Sequence, residues 1–281
     1  MRREGSVCMR VKDDLGRTLD LPESPRRVVS LVPSVTETLA AFGLGERLVG
    51  VTDWCTDPPE VVARLPRVGH VVAPDVARVR ALEPDLILAN AEENREHAVR
   101  KLEAAGLPVY VSFPRTVVQA IDAMAAMARI TGTEDAAAPF LADARAALAE
   151  ARRSAASHAA VPWFCAIWKD PWMTASDDTY LADLLNTCGG RNVFGDEDKR
   201  YPRTTIEEAV RRKSTLVLLP TEPYPFGPED RAAVARAAAS AEVLLVDGTL
   251  LAWHGIRTAS ALRALARVLG GERDAAAPRS A

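Results

Sequence analysis

The stretch Thr133 to His158, TEDAAAPFLADARAALAEARRSAASH, constrains the fold more than any other. It is dense in alanine and other strong helix formers, has no glycine, and carries its one proline, Pro139, near the start. At ~1.5 Å per residue, roughly 25 helical residues make a rod of about 37 Å, longer than one small domain is wide. Strand and helix patterns alternate before it, and the same alternation restarts after it. The pattern predicts a strut joining two α/β lobes; the alternative is an ordinary long surface helix within one domain.

The predicted elements give this order. Lys12 to Leu21 reads as a short hairpin around Asp14-Leu15-Gly16. Strands follow at Arg27–Val32, Arg47–Thr52, Asp85–Ala89 and Val109–Phe113, separated by helices at Ser34–Gly43, Asp75–Leu82 and Glu93–Ala105. Ser34 with Glu37 has the spacing of a capping box, as do Thr116 with Gln119 and Thr205 with Glu208. After the strut come strands Trp163–Trp168, Thr215–Leu219 and Val243–Val246, with helices at Tyr180–Thr187, after Thr205, at Asp230–Ala239 and at Thr258–Leu269. Short connections between alternating strands and helices imply parallel sheets. The expected division is an N-terminal segment 1–26, an α/β lobe 27–132, the helix 133–159, a second lobe 160–270 and a disordered tail 271–281.

Several function classes are disfavoured. With 35 basic against 38 acidic residues the net charge is −3, and the basic residues form no stripe suited to nucleic acid. No stretch approaches the roughly 18 apolar residues of a membrane span, and MRREGSVCMRVKDD has no apolar leader core, so the chain as written predicts a cytoplasmic protein without membrane insertion. Cys8 has only seven residues before it, and Val7 is too large for the residue preceding a lipid-anchor cut. The four cysteines form no CxxC pair, and Cys165 reads as a small buried hydrophobe. GxSxG, HExxH and GxxxxGK[ST] are absent, and no enzyme is expected. Asp177-Asp178 and Asp196-Glu197-Asp198 read as solvated loop charges.

Ligands of open parallel sheets bind beyond the carboxyl ends of the strands. The residues there are Trp54, Asn90 to Glu93, Trp168 to Trp172, Tyr224 with Phe226, and Asp247 with Trp253-His254. Four of five tryptophans fall in these loops of a chain only 5% aromatic, which suits a flat or bulky ligand. His70 and His254 are candidate polar or metal contacts, whereas His97 and His158 read as solvent-facing.

The runs RVVSLVPSVTETLAAFGLGERLVGVTDWCTDPP from Arg27, VARVRALEPDLILA from Val76 and CGGRNVFGDEDKRYPRTTIEEAV from Cys188 resemble the helical-backbone, class III substrate-binding proteins of ABC importers, which include vitamin B12, iron-siderophore and haem receptors. The resemblance runs from about Lys12 to Leu269. It implies two Rossmann-like lobes joined by one rigid helix, a monomer, no intrinsic cofactor, and a corrinoid, haem or ferric chelate held between the lobes. It also implies an extracytoplasmic location if the natural start lies upstream of Met1. Matched residue by residue, it places ligand-contacting rings at Trp54, Trp168 and Tyr201 and an acidic group near Asp247. Trp172, Trp253, His70 and His254 complete the expected ligand set. Two family aromatics are replaced, by His70-Val71 and by Asn90, which leaves haem, iron chelates and other corrinoids open beside B12. Docking to a permease is implied for Glu207; the matching first-lobe position is Ala77, with Asp75 two residues away. The rivals are a cytoplasmic corrinoid or haem trafficking or sensing protein, and a metal-dependent enzyme using His70 and His254.

Overall fold

The computed structural model describes residues 8–278, and the readings of a leader and of a lipid-anchor site, which rest on residues 1–7, lie outside the described residues. The fold divides into two units: residues up to Pro114 with Ile121–Ala142, and Arg115–Ala120 with Asp143 onward. The division falls inside the helix Glu134–Ala155, 22 residues or about 33 Å long.

The first unit opens with the hairpin of β1 (Cys8–Lys12) and β2 (Thr18–Pro22), paired antiparallel with Lys12 opposite Thr18. Asp13 closes the turn by accepting from the Leu15 and Arg17 amides at 3.1 and 2.9 Å, and Gly16 takes the left-handed conformation that the turn needs. β3 (Val28–Ser30), β4 (Leu48–Val51), β7 (Leu86–Asn90) and β8 (Val109–Ser112) form a parallel sheet in the order β4-β3-β7-β8. Every residue of β3, β7 and β8 is buried, as a sheet covered on both faces requires. Between β4 and β7 lies a small antiparallel pair, β5 (Gly69–His70) with β6 (Ala73–Pro74).

The helix expected from Ser34 begins at Pro33 and runs to Ala41, so the capping box is corrected. Proline's fixed φ and missing N–H suit the first helical position, which moves Ser34 inside the first turn, where it is buried and caps nothing. Asp75 instead caps Val76–Ala81, accepting from the Ala77 and Arg78 amides. The helix expected from Glu93 starts at Glu96, because Asn94 Oδ1 takes the Asn90 amide and Asn90 Oδ1 the Glu92 amide, holding this stretch as a turn. Val117–Thr131 has the expected cap: the Gln119 amide donates to Thr116 Oγ1 at 3.1 Å.

In the second unit β9 (Val161–Cys165), β10 (Gly190–Asn192), β11 (Leu216–Pro220) and β12 (Glu242–Val246) form a parallel sheet in the order β10-β9-β11-β12. β10 has no β-branched residue to announce it. Its closeness to the core depends on Gly190, where a Cβ would lie 2.4 Å from Trp163 Cδ1. Trp163, Phe164 and Cys165 are fully buried, and burial pushes the Cys165 thiol up, so it behaves as the small hydrophobe expected. Helices Tyr180–Thr187, Ile206–Arg211, Pro228–Ala237, Gly248–Ala252 and Thr258–Leu269 flank the strands.

Two readings are corrected by packing. The tail expected to be disordered forms a 3-10 turn at Arg273–Ala276, with Ala276 buried and its carbonyl accepting from the Asp247 amide; 279–281 lie outside the described residues. His158, expected in solvent, is half-buried over Gly189, where a Cβ would come 2.5 Å from its ring.

Candidate functional site

In the first unit the chain leaving β4 carries Trp54, which is 57% exposed. The Asp53 amide donates to the Gly69 carbonyl at 2.9 Å and so ties this loop to the β5–β6 pair. His70 then stands edge-on to Trp54, with ring centres 5.6 Å apart and planes at 77°. Asn90 is fully buried instead; its amide group donates to Ser112 Oγ at 3.2 Å, and it shapes the loop rather than offering a contact.

In the second unit β9 ends three residues earlier than expected because Ile167 and Met173 are joined: the Ile167 amide donates to the Met173 carbonyl at 2.9 Å, and the Met173 amide to the Trp168 carbonyl at 3.1 Å. The bracket continues outward, the Thr204 amide reaching the Trp172 carbonyl and the Thr174 amide the Pro202 carbonyl. Backbone pairing thus brings the segment bearing Tyr201 alongside the one bearing Trp168 and Trp172. The loop after β11 supplies the backing. Tyr224 meets Trp168 edge-on at 5.5 Å, Phe226 stacks on Trp172 at 5.7 Å with planes 2° apart, and Tyr224 and Phe226 lie 4.6 Å apart. Of these rings Trp168 is the one left open, at 44% exposure. Beside it Lys169 Nζ donates to Asp230 at 2.7 Å, which raises the lysine pKa and lowers that of the aspartate. Tyr201 lines a depression of about 460 Å³ with Met173, Pro202 and the charged run Glu197–Lys199; Arg200 lies over its ring at 5.4 Å.

The same loop reaches a third tryptophan. Burial raises the Glu222 pKa, with neighbouring Trp253 and Arg257 opposing the rise and Asp247 reinforcing it. Arg257 lies 4.3 Å over the Trp253 ring and donates to Thr249 Oγ1 at 2.8 Å. Sequence reading passed over Glu222 and Arg257; the first lies two residues before Tyr224 in a loop already singled out for its rings.

Three expected contacts have structural duties. Asp247 caps Gly248–Ala252 through the Thr249 amide and hydroxyl, at 2.9 and 2.8 Å. His254, 8% exposed, packs edge-on against Tyr180 at 5.9 Å and is a core side chain, correcting its reading as an open loop contact. Asp75 is exposed, yet its carboxylate is engaged as a cap and with Arg78. Glu207 is exposed at the start of Ile206–Arg211, and its carboxyl pKa is lowered by its own backbone amide and by Thr205. Among the described residues no group of three or more His, Cys, Asp or Glu side chains is placed to hold a metal ion, and no helix is long and apolar enough to cross a membrane.

The chain is similar to known proteins over most of its length. A vitamin B12-binding protein of Yersinia pestis (strain Pestoides F) is 30% identical over 202 residues, covering 72% of each chain. The crystal structure of the periplasmic vitamin B12 binding protein BtuF of Vibrio cholerae superposes with a TM-score of 0.76 at 24% identity, covering 88% of this chain and 98% of that one. A periplasmic heme binding protein from Pseudomonas aeruginosa gives 0.75 at 24% identity, over 91% and 95%. The model of the family described as periplasmic binding protein matches residues 28–236, and the chain belongs to that family.

Proposed function

We propose that this protein is a substrate-binding component of an ABC importer that takes up a corrinoid, haem or ferric chelate and acts by binding and release rather than by chemistry. The observation that carries the reading is Trp168, a large ring left open on a base of Tyr224, Phe226 and Trp172. A ring held still by its neighbours loses little conformational entropy when a flat ligand stacks on it. Trp54 with His70 offers a comparable surface on the first unit. The curated relatives named for vitamin B12 and the solved relative named for heme support the ligand class. Tyr201 and Trp253 are proposed as further contacts.

Glu207, ionised and exposed, is the proposed docking charge for a permease arginine, with Asp75 contributing only weakly because its carboxylate is already engaged. Location outside the cytoplasm goes with this reading, and cell fractionation tests it. Binding itself is tested by quenching of tryptophan emission with cyanocobalamin, hemin and a ferric siderophore. A saturable response to one of them at micromolar concentration supports the reading, and no response to any of the three removes it.

A further inference from the structure

Resting on the ligand class just proposed, we infer that His70 meets the bound molecule as a hydrogen-bond donor through Nε2–H, and not as a ligand to its metal. The reason lies in the β5–β6 turn. The Val72 backbone amide points at His70 Nδ1 with an N···N distance of 3.2 Å. A backbone N–H only donates, so Nδ1 must present its lone pair, and the neutral imidazole then carries its proton on Nε2.

Coordination through Nε2 needs the lone pair on that atom and hence a proton on Nδ1. That proton would face the Val72 N–H, replacing a hydrogen bond with two opposed donors. Histidines that bind metals are usually held the other way, with the distant nitrogen donating to a carbonyl or carboxylate. Turning the ring over presents Cδ2–H to the Val72 amide and loses the bond as well.

The turn has little room to adjust. The Asn94 side-chain amide donates to the Val71 carbonyl at 2.7 Å, the Asp75 amide to the Val68 carbonyl at 2.7 Å, and the Asp53 amide to the Gly69 carbonyl at 2.9 Å. Val71 is buried, and Trp54 stands against the imidazole ring. The atom that suits Nε2–H is an acceptor oxygen at the ligand's rim, such as a carboxylate, phosphate or amide carbonyl.

The test uses nitrogen-15 NMR of the imidazole groups in the whole protein, above the histidine titration range, with the His70 signals assigned by their loss in His70→Gln. The expected result is a protonated Nε2 and a lone pair on Nδ1. Binding of hemin and cyanocobalamin is then compared in wild type, His70→Ala and His70→Gln. A lost hydrogen bond of ordinary strength should weaken binding about 5- to 10-fold in His70→Ala, with His70→Gln recovering most of it and all three hemin complexes sharing one absorption spectrum. A protonated Nδ1, a histidine-ligated iron spectrum that disappears in His70→Ala, or unchanged affinity in His70→Ala would overturn the inference alone. If wild type binds neither these probes nor a ferric siderophore, the proposed function falls, and the role given to His70 falls with it.

Discussion

The guanidinium of Arg257 lies 4.3 Å over the ring of Trp253. The same guanidinium donates to Thr249 Oγ1 at 2.8 Å, so Arg257 ties the ring to the short helix Gly248–Ala252. Arg257→Ala removes the face contact and the bond to Thr249, and should cost about 1–2 kcal/mol of stability, read as a lower urea midpoint. Arg257→Lys should recover only part of this, since a lysine lacks the planar group that covers a ring.

Glu222 gives a pH dependence whose sign follows from burial. Its folded pKa lies above the ordinary glutamate value, so the folded state holds this proton more tightly than the unfolded chain does. The stability it contributes is present below the unfolded pKa and is lost as pH rises through the folded one. Glu222→Gln, which cannot ionise, should therefore unfold at higher urea than wild type at pH 7, with the gap closing toward pH 4. A gap that widens on acidification would contradict the assignment.

Trp168 and Trp172 belong to one bracket but should respond differently to truncation. Trp172 is stacked on Phe226 and packed against the core of its unit, so Trp172→Ala should cost roughly 3 kcal/mol or more of stability. Trp168 is half open, and Trp168→Ala should cost less stability while weakening ligand binding about tenfold. Urea titration and emission quenching on the two variants separate these roles.

Gly190 tests the packing of β10. A methyl group there would meet Trp163 Cδ1 at 2.4 Å and the Leu185 carbonyl at 2.9 Å, both inside the second unit. Gly190→Ala should destabilise by about 2–3 kcal/mol, whereas Gly227→Ala, where a Cβ meets nothing within 4 Å, should cost at most the ~1 kcal/mol expected of alanine at the N-cap of Pro228–Ala237.

Local signals were legible where one residue decides the outcome. Tyr180–Thr187 ends where Gly189 takes a left-handed conformation, and Thr205 caps its helix through the Glu208 amide, both as the sequence suggests. The start of Pro33–Ala41 was misread because proline at the first helical position competes with a well-spaced serine and glutamate. β10 was missed because its reason is tertiary: Gly190 is there to admit Trp163. For the candidate site, sequence picked the loops and the rings but not their partners. Glu222 and Trp253 lie on loops after different strands, and only the folded sheet brings them together. His254 misled because position after a strand says nothing about which way a ring turns, and Tyr180 gives it an apolar seat.

Binding of a metal-bearing ring or chelate is read from absorption spectroscopy of the purified protein after incubation with cobalamin, hemin or a ferric siderophore and gel filtration. A corrinoid, Soret or ferric-chelate band should co-elute with wild type in stoichiometric amount and be diminished in Trp168→Ala. A wild-type protein that elutes colourless from all three would contradict this function.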